Sequence, residues 1–82
     1  MNYTPKFTDR FLEDTKRLKG ELKKHLENAV KKIINNPLFG KPLSHSFKGF
    51  RNERVGRFRI IYEIERNIVI FHTFEHRKKV YG

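Results

Sequence analysis

The 82-residue sequence has no cysteine and no tryptophan, one methionine and three prolines. Without cysteine there is no disulfide framework, no thiol nucleophile and no cysteine-ligated zinc. No apolar run approaches the roughly 18 residues of a membrane span, and no signal-peptide pattern opens the chain. The expectation is therefore a cytoplasmic protein with no membrane partner. Acidic residues are scarce: nine Asp and Glu stand against nineteen Lys and Arg, a formal charge of +10. A field of that sign attracts polyanions, with nucleic acid the first partner to consider and an acidic protein the second. A thermophile-style charged surface would lie nearer balance.

A chain of this length makes one domain, here residues 1–82, because domains usually hold about 100–150 residues. Eight phenylalanines and three tyrosines are enough for a single small core. The two cations are unevenly distributed. Seven lysines (Lys6, Lys16, Lys19, Lys23, Lys24, Lys31, Lys32) fall in the first half, and six arginines (Arg51, Arg54, Arg57, Arg59, Arg66, Arg77) in the second. Lysines on a helical period are ordinarily a solvated face. Arginines on strands are less usual, and their planar fork suits bidentate phosphate contacts.

Residues 2–7 read as a short strand, held to an edge or an irregular position by Pro5. Thr8 or Asp9 caps the helix beyond it. Phe11, Thr15, Leu18, Leu22, Leu26, Ala29 and Ile33 recur every three or four residues, an amphipathic helical stripe. Gly20 interrupts it, because glycine best adopts the left-handed geometry that ends a helix. The stripe predicts two helices, about 9–19 and 21–36, with one long helix as the alternative. Pro37 stops the second helix. Residues 37–46 form a turn-rich linker, after which the period changes to two. Phe58, Ile60, Tyr62 and Ile64 alternate with Arg57, Arg59, Ile61 and Glu63. Residues 46–55 predict a preceding strand and 67–74 a following, buried one, joined by a turn at Glu65–Asn67. The order β-α-α-β-β-β predicts an α+β fold, a helical hairpin packed on one face of a mostly antiparallel sheet. If the Phe58–Ile64 row meets the helices, Arg57 and Arg59 stand on the other face, where core packing has no use for them.

The segment Arg54-Val-Gly-Arg-Phe-Arg-Ile-Ile-Tyr-Glu-Ile64, the apolar strand after it and the tail His76-Arg-Lys-Lys-Val-Tyr-Gly82 resemble the RelE/ParE toxin superfamily of type II toxin–antitoxin pairs. The resemblance covers essentially the whole chain. Its RelE branch implies a ribosome-dependent endoribonuclease. Such enzymes cut messenger RNA in the ribosomal decoding site by attack of a ribose 2′-hydroxyl on the adjacent phosphate, without metal or other cofactor. Fixed cations stabilise the charge of the phosphorane transition state, while a base and an acid move the protons.

Residue by residue, the resemblance implies that Arg59 holds the scissile phosphate, that Arg77 is the C-terminal catalytic arginine, and that Tyr81 stacks on or orients a nucleotide. The lysine pair that typifies the branch is absent, and Phe50 and Asn52 stand in its place. Either Lys48, Arg51 or Arg54 substitutes, or His76 supplies the base or acid, or catalysis is weak. Arg57, Lys78 and Lys79 complete the expected RNA footing. No histidine pair has metal-ligand spacing with a carboxylate. The resemblance further implies an acidic, RelB-like antitoxin in a toxin–antitoxin hetero-oligomer. The alternatives are a ParE-like toxin that inhibits gyrase by protein contact and a basic RNA-binding module without catalysis.

Overall fold

A computed structural model describes residues 2–43 and 49–78. Thr8 sets the change from strand to helix. Its side-chain oxygen accepts from the Phe11 amide (3.0 Å) and donates to the His72 carbonyl (2.9 Å). One hydroxyl thus caps a helix and anchors it to the sheet. Before it lies strand β1 (Thr4–Phe7), and after it helix α1 (Asp9–Thr15). The expected helix over 9–19 stops at Thr15, whose hydroxyl turns back onto the Phe11 carbonyl at 2.9 Å. Such back-bonding competes with continuation of the helix. Gly20, at φ +62°, lies at the junction as expected, but it opens helix α2 (Gly20–Asn35) and does not close α1. Pro37 then starts a single 3-10 turn, Pro37–Phe39.

Four more strands complete the sheet: β2 (Lys41–Pro42), β3 (Phe50–Val55), β4 (Phe58–Glu65) and β5 (Ile68–His76). Their order across the sheet is β1-β5-β4-β3-β2, with β1 parallel to β5 and the other pairs antiparallel. Two points differ from the sequence expectation. The linker contains β2, too short at two residues to show a period, and the third strand begins at Phe50 where position 46 was expected. Residues 44–48 lie outside the described set.

The core forms where the helical stripe meets one face of the sheet. Ile33, Ile60, Tyr62, Val69 and Phe71 are fully buried, and Phe11, Leu26, Val55 and Phe74 nearly so. Each such apolar side chain contributes about 1.5–3 kcal/mol relative to exposure. Beyond the end of β1, α1 takes over its neighbour's open hydrogen bonds. The Phe74 amide donates to the Asp14 carboxylate (3.1 Å), and Thr8 covers the Phe71 and His72 carbonyls.

The Tyr62 hydroxyl carries the linker. It donates to the Pro37 carbonyl (2.6 Å) and accepts from the Gly40 amide (3.1 Å). A Cβ on Gly40 would run into that hydroxyl and into the Asn52 carbonyl, so the close approach requires glycine. Burial pushes the Tyr62 phenol above its ordinary 10.0, against a lowering by the Gly40 amide. Above pH 10 the unfolded chain therefore loses a proton that the folded chain keeps. The stability tied to Tyr62 is complete below that pH and is lost as pH rises through the folded value. Tyr62→Phe leaves a buried amide and carbonyl without their partner, which costs about 1–3 kcal/mol. Thermal melts should show a lower Tm at neutral pH and a shallower loss of stability above pH 10 than in the parent.

Candidate functional site

The face of the sheet away from the helices collects charge in register. Arg54 of β3 lies opposite Arg59 of β4, and Arg59 lies opposite Glu75 of β5. Side chains opposite each other on one face stand about 4.5–5.5 Å apart at Cβ. Two arginines at that spacing repel, and the Glu75 carboxylate on the other side offsets part of the cost. Glu75 is 7% exposed and accepts from the Thr73 hydroxyl at 2.7 Å. A like-charge pair with one compensating carboxylate keeps a net positive field on this face.

The turn at Gly56–Arg57 completes the arrangement. Gly56 adopts φ +60°, which reverses the chain tightly between β3 and β4. The end of β5 is fastened to this turn. The Arg77 amide donates to the Arg57 carbonyl (2.9 Å), and its guanidinium donates to the Gly56 carbonyl (3.2 Å). On the far side the Asn52 side-chain Nδ2 donates to the Lys41 carbonyl (3.2 Å), holding β2 against β3. The result is a cleft of about 430 Å³. Arg54, Arg59, Arg77 and Lys78 line it together with Lys41, and Asn52 and Glu53 complete the wall. Glu53 is the one carboxylate among these lining residues, and Lys32 of α2 pairs with it at 3.6 Å. Five cations around one concavity make a site for a polyanion.

A sequence profile for the ParE toxin of the type II toxin–antitoxin system parDE matches residues 6–81. The chain belongs to this toxin family. No protein of curated function matches the sequence. Among solved structures, the toxin is similar to a chain of the RelBE2 toxin–antitoxin complex from Mycobacterium tuberculosis. They share 28% identity over 94% of this chain and 100% of the other, at a TM-score of 0.79. The E. coli DinJ-YafQ toxin–antitoxin complex provides a match at 22% identity, full coverage of both chains and a TM-score of 0.77. The isolated E. coli RelE toxin matches at 13% identity, 95% and 87% coverage and a TM-score of 0.79. The last two establish the RelE-like fold, and the profile establishes the toxin family.

The structure gathers four of the residues singled out from sequence, Arg54, Arg59, Arg77 and Lys78, at this cleft. Arg57 is exposed in the turn beside it. Lys48, Lys79 and Tyr81 lie outside the described residues. Two candidates are elsewhere. Arg51 is in register with Tyr62, on the helix side, and its guanidinium donates to the Gly40 (2.6 Å) and Leu38 (3.3 Å) carbonyls. His76 is in register with Phe58, meets its ring edge-on at 5.4 Å, and accepts from the Lys78 amide through Nδ1 (3.2 Å). The two-residue period separates Arg51 from Arg54, three positions on, and that signal was present in the sequence. Lys41 had no such signal, because its place depends on β2, whereas Asn52 shares the parity of Arg54 on β3.

Among the described residues, no helix is long and apolar enough to cross a membrane, and no group of three or more His, Asp or Glu side chains gathers as metal ligands. The two arginines of β3 should separate by assay. Arg51→Ala should lower Tm by several degrees with a small effect on binding to a single-stranded oligonucleotide. Arg54→Ala should leave Tm within a degree or two, weaken binding and reduce its salt dependence by about one phosphate contact. Melting curves and a salt titration of fluorescence anisotropy read both.

Proposed function

We propose that the toxin is a ribosome-dependent endoribonuclease that cleaves messenger RNA by metal-independent 2′-hydroxyl attack and so inhibits translation and growth. The supporting observation is the convergence of Arg54, Arg59, Arg77, Lys78 and Lys41 on one cleft. In the reaction the 2′ oxygen bonds to phosphorus, the bond to the 5′ oxygen breaks, and a proton passes from the former to the latter through general base and acid. The products are a 2′,3′-cyclic phosphate and a 5′-hydroxyl end. Negative charge grows on the non-bridging oxygens along the way, and preorganised cations stabilise that growth more than the ground state.

Arg59 holds the centre of the cleft, with Arg54 and Arg77 to either side in the roles of phosphate clamp and leaving-group partner. Arginine supplies charge and a bidentate fork but is a poor proton carrier. Lysine amines exchange protons more readily. Lys41 and Lys78 are thus the cleft groups suited to the base role that the absent lysine pair leaves open. His76 remains near the cleft through Lys78 and is a weaker candidate, while Tyr81 keeps its proposed role in orienting a nucleotide. The cytoplasm, where ribosomes are, is the setting, and an acidic RelB-like antitoxin in a hetero-oligomer is the proposed neutralising partner. Similar chains were solved in complexes with antitoxins, which supports that pairing.

One observation favours a second reading: the matching profile is that of ParE. A ParE-like toxin would inhibit gyrase by protein contact and leave RNA intact. Primer extension on a defined messenger during induced expression, beside a gyrase supercoiling assay, separates the two. Under the proposed reading Arg59→Ala lowers cleavage by about 10²–10³-fold, the effect of losing one transition-state donor. It also lowers Tm, because the buried Glu75 then loses the arginine opposite it. Arg59→Lys keeps the charge, should hold Tm close to the parent, and should recover only part of the activity for want of the fork. Full activity in a folded Arg59→Ala protein places the chemistry elsewhere.

A further inference from the structure

We propose that Phe50, Glu63 and His72 form a platform for an unpaired nucleobase beside the cationic cleft, one that favours bases bearing an exocyclic amino group. The inference rests on the single-stranded RNA substrate proposed above. It starts from an irregularity in β5. Ile61 pairs with Thr73 and Tyr62 with Phe71, so His72 is an extra residue with no partner on β4. Such bulges re-aim a side chain and are common next to active sites. This one is fixed in place, because its carbonyl accepts from the Thr8 hydroxyl at 2.9 Å.

Three strands then each contribute one side chain. His72 Nε2 and Glu63 Oε1 are 3.0 Å apart, and the His72 and Phe50 rings lie 4.8 Å apart, tilted by 36°. Phe50 and Glu63 are register partners on the face of Arg54 and Arg59. Neither Phe50 nor His72 belongs to the core cluster on the helix side. All three side chains are partly exposed, His72 at 30% and Glu63 at 29%.

An aromatic and an imidazole ring that the core does not use, at the solvent side of a basic sheet, match the physics of single-strand recognition. Phosphates track a cationic groove while bases stack on ring faces. Phe50, Asn52 and Arg54 alternate along one face of β3, so the platform lies about 13 Å from the arginine pair, along the strand. Glu63 adds selectivity. A carboxylate only accepts hydrogen bonds, and His72 occupies one of its two oxygens. Adenine, cytosine and guanine carry amino donors for the other, whereas uracil offers only its ring N3–H, set between two carbonyl oxygens that a carboxylate repels.

The absence of tryptophan from the chain makes the test direct. Phe50→Trp keeps an aromatic platform and creates a single indole reporter. The probes are 2′-O-methyl hexamers of adenosine, cytidine and uridine, which cannot be cleaved, and an abasic hexamer of equal charge. Emission from the Phe50→Trp variant should be quenched by the adenosine and cytidine hexamers and not by the abasic one. Phe50→Ala should weaken binding of the adenosine hexamer about ten-fold or more and leave abasic binding unchanged. Glu63→Gln, which gains a donor, should narrow the gap between adenosine and uridine. Melting curves confirm that each variant is folded. Equal affinity of the parent for base-bearing and abasic hexamers, lost in Arg59→Ala, overturns the platform and leaves the cleft reading intact. No binding to any hexamer overturns both.

Discussion

The Tyr62 hydroxyl is the bond on which the site depends. It sits on the central strand with no exposed surface, yet it reaches the linker between helix and sheet at two points, the Pro37 carbonyl and the Gly40 amide. Arg51 adds its own grip on Gly40 and Leu38 from the neighbouring strand. Together they fix where the linker enters the sheet and hence where β2 pairs with β3. Only because that entry is fixed does Lys41 arrive at a wall of the cleft. A hydroxyl in the core thus positions a cation on the opposite face, an instance of a buried, satisfied polar group specifying geometry.

The cleft itself is an arrangement that folding alone would not favour. Arg54 against Arg59 is repulsive, and the fold tolerates it through a buried carboxylate on one side and shared backbone contacts at the turn. Arg59 therefore serves the stability of the sheet as well as its proposed role in the cleft. A neutral side chain there would relieve Arg54 but take from Glu75 the arginine opposite it. The order Arg–Arg–Glu across three strands ties the anion-binding field to the integrity of the sheet.

Much of this was legible in the sequence. The three-and-four spacing from Phe11 to Ile33 located the helices, and the alternation from Phe58 to Ile64 separated Arg59 from the core with the correct face. What escaped had physical causes. Helix α1 ends early because a threonine hydroxyl competes for its backbone, and local propensity does not show that. Strand β2 is two residues long and carries no period. The bulge at His72 changes the register of β5 by one, so a strand expected to be buried on both faces in fact turns a partly exposed histidine toward the charged face. Arg51 was grouped with its basic neighbours by proximity in sequence, although its parity already placed it on the other side of the sheet.

Both outer strands carry a proline, and the ladder shows which way each points. In β1 the Thr4 and Thr8 amides donate inward, so the intervening odd position, Pro5, has its nitrogen on the outer rim. In β2 the Leu43 amide donates inward to Phe50, which places the Pro42 nitrogen outward in the same way. Proline has no N–H to offer there. Each rim of the sheet therefore lacks a donor at the point where another chain would begin to zip onto it, a device that blunts edge-to-edge polymerisation. Association through the sheet edges is thereby disfavoured, and contacts through side chains are left as the readier route to this surface.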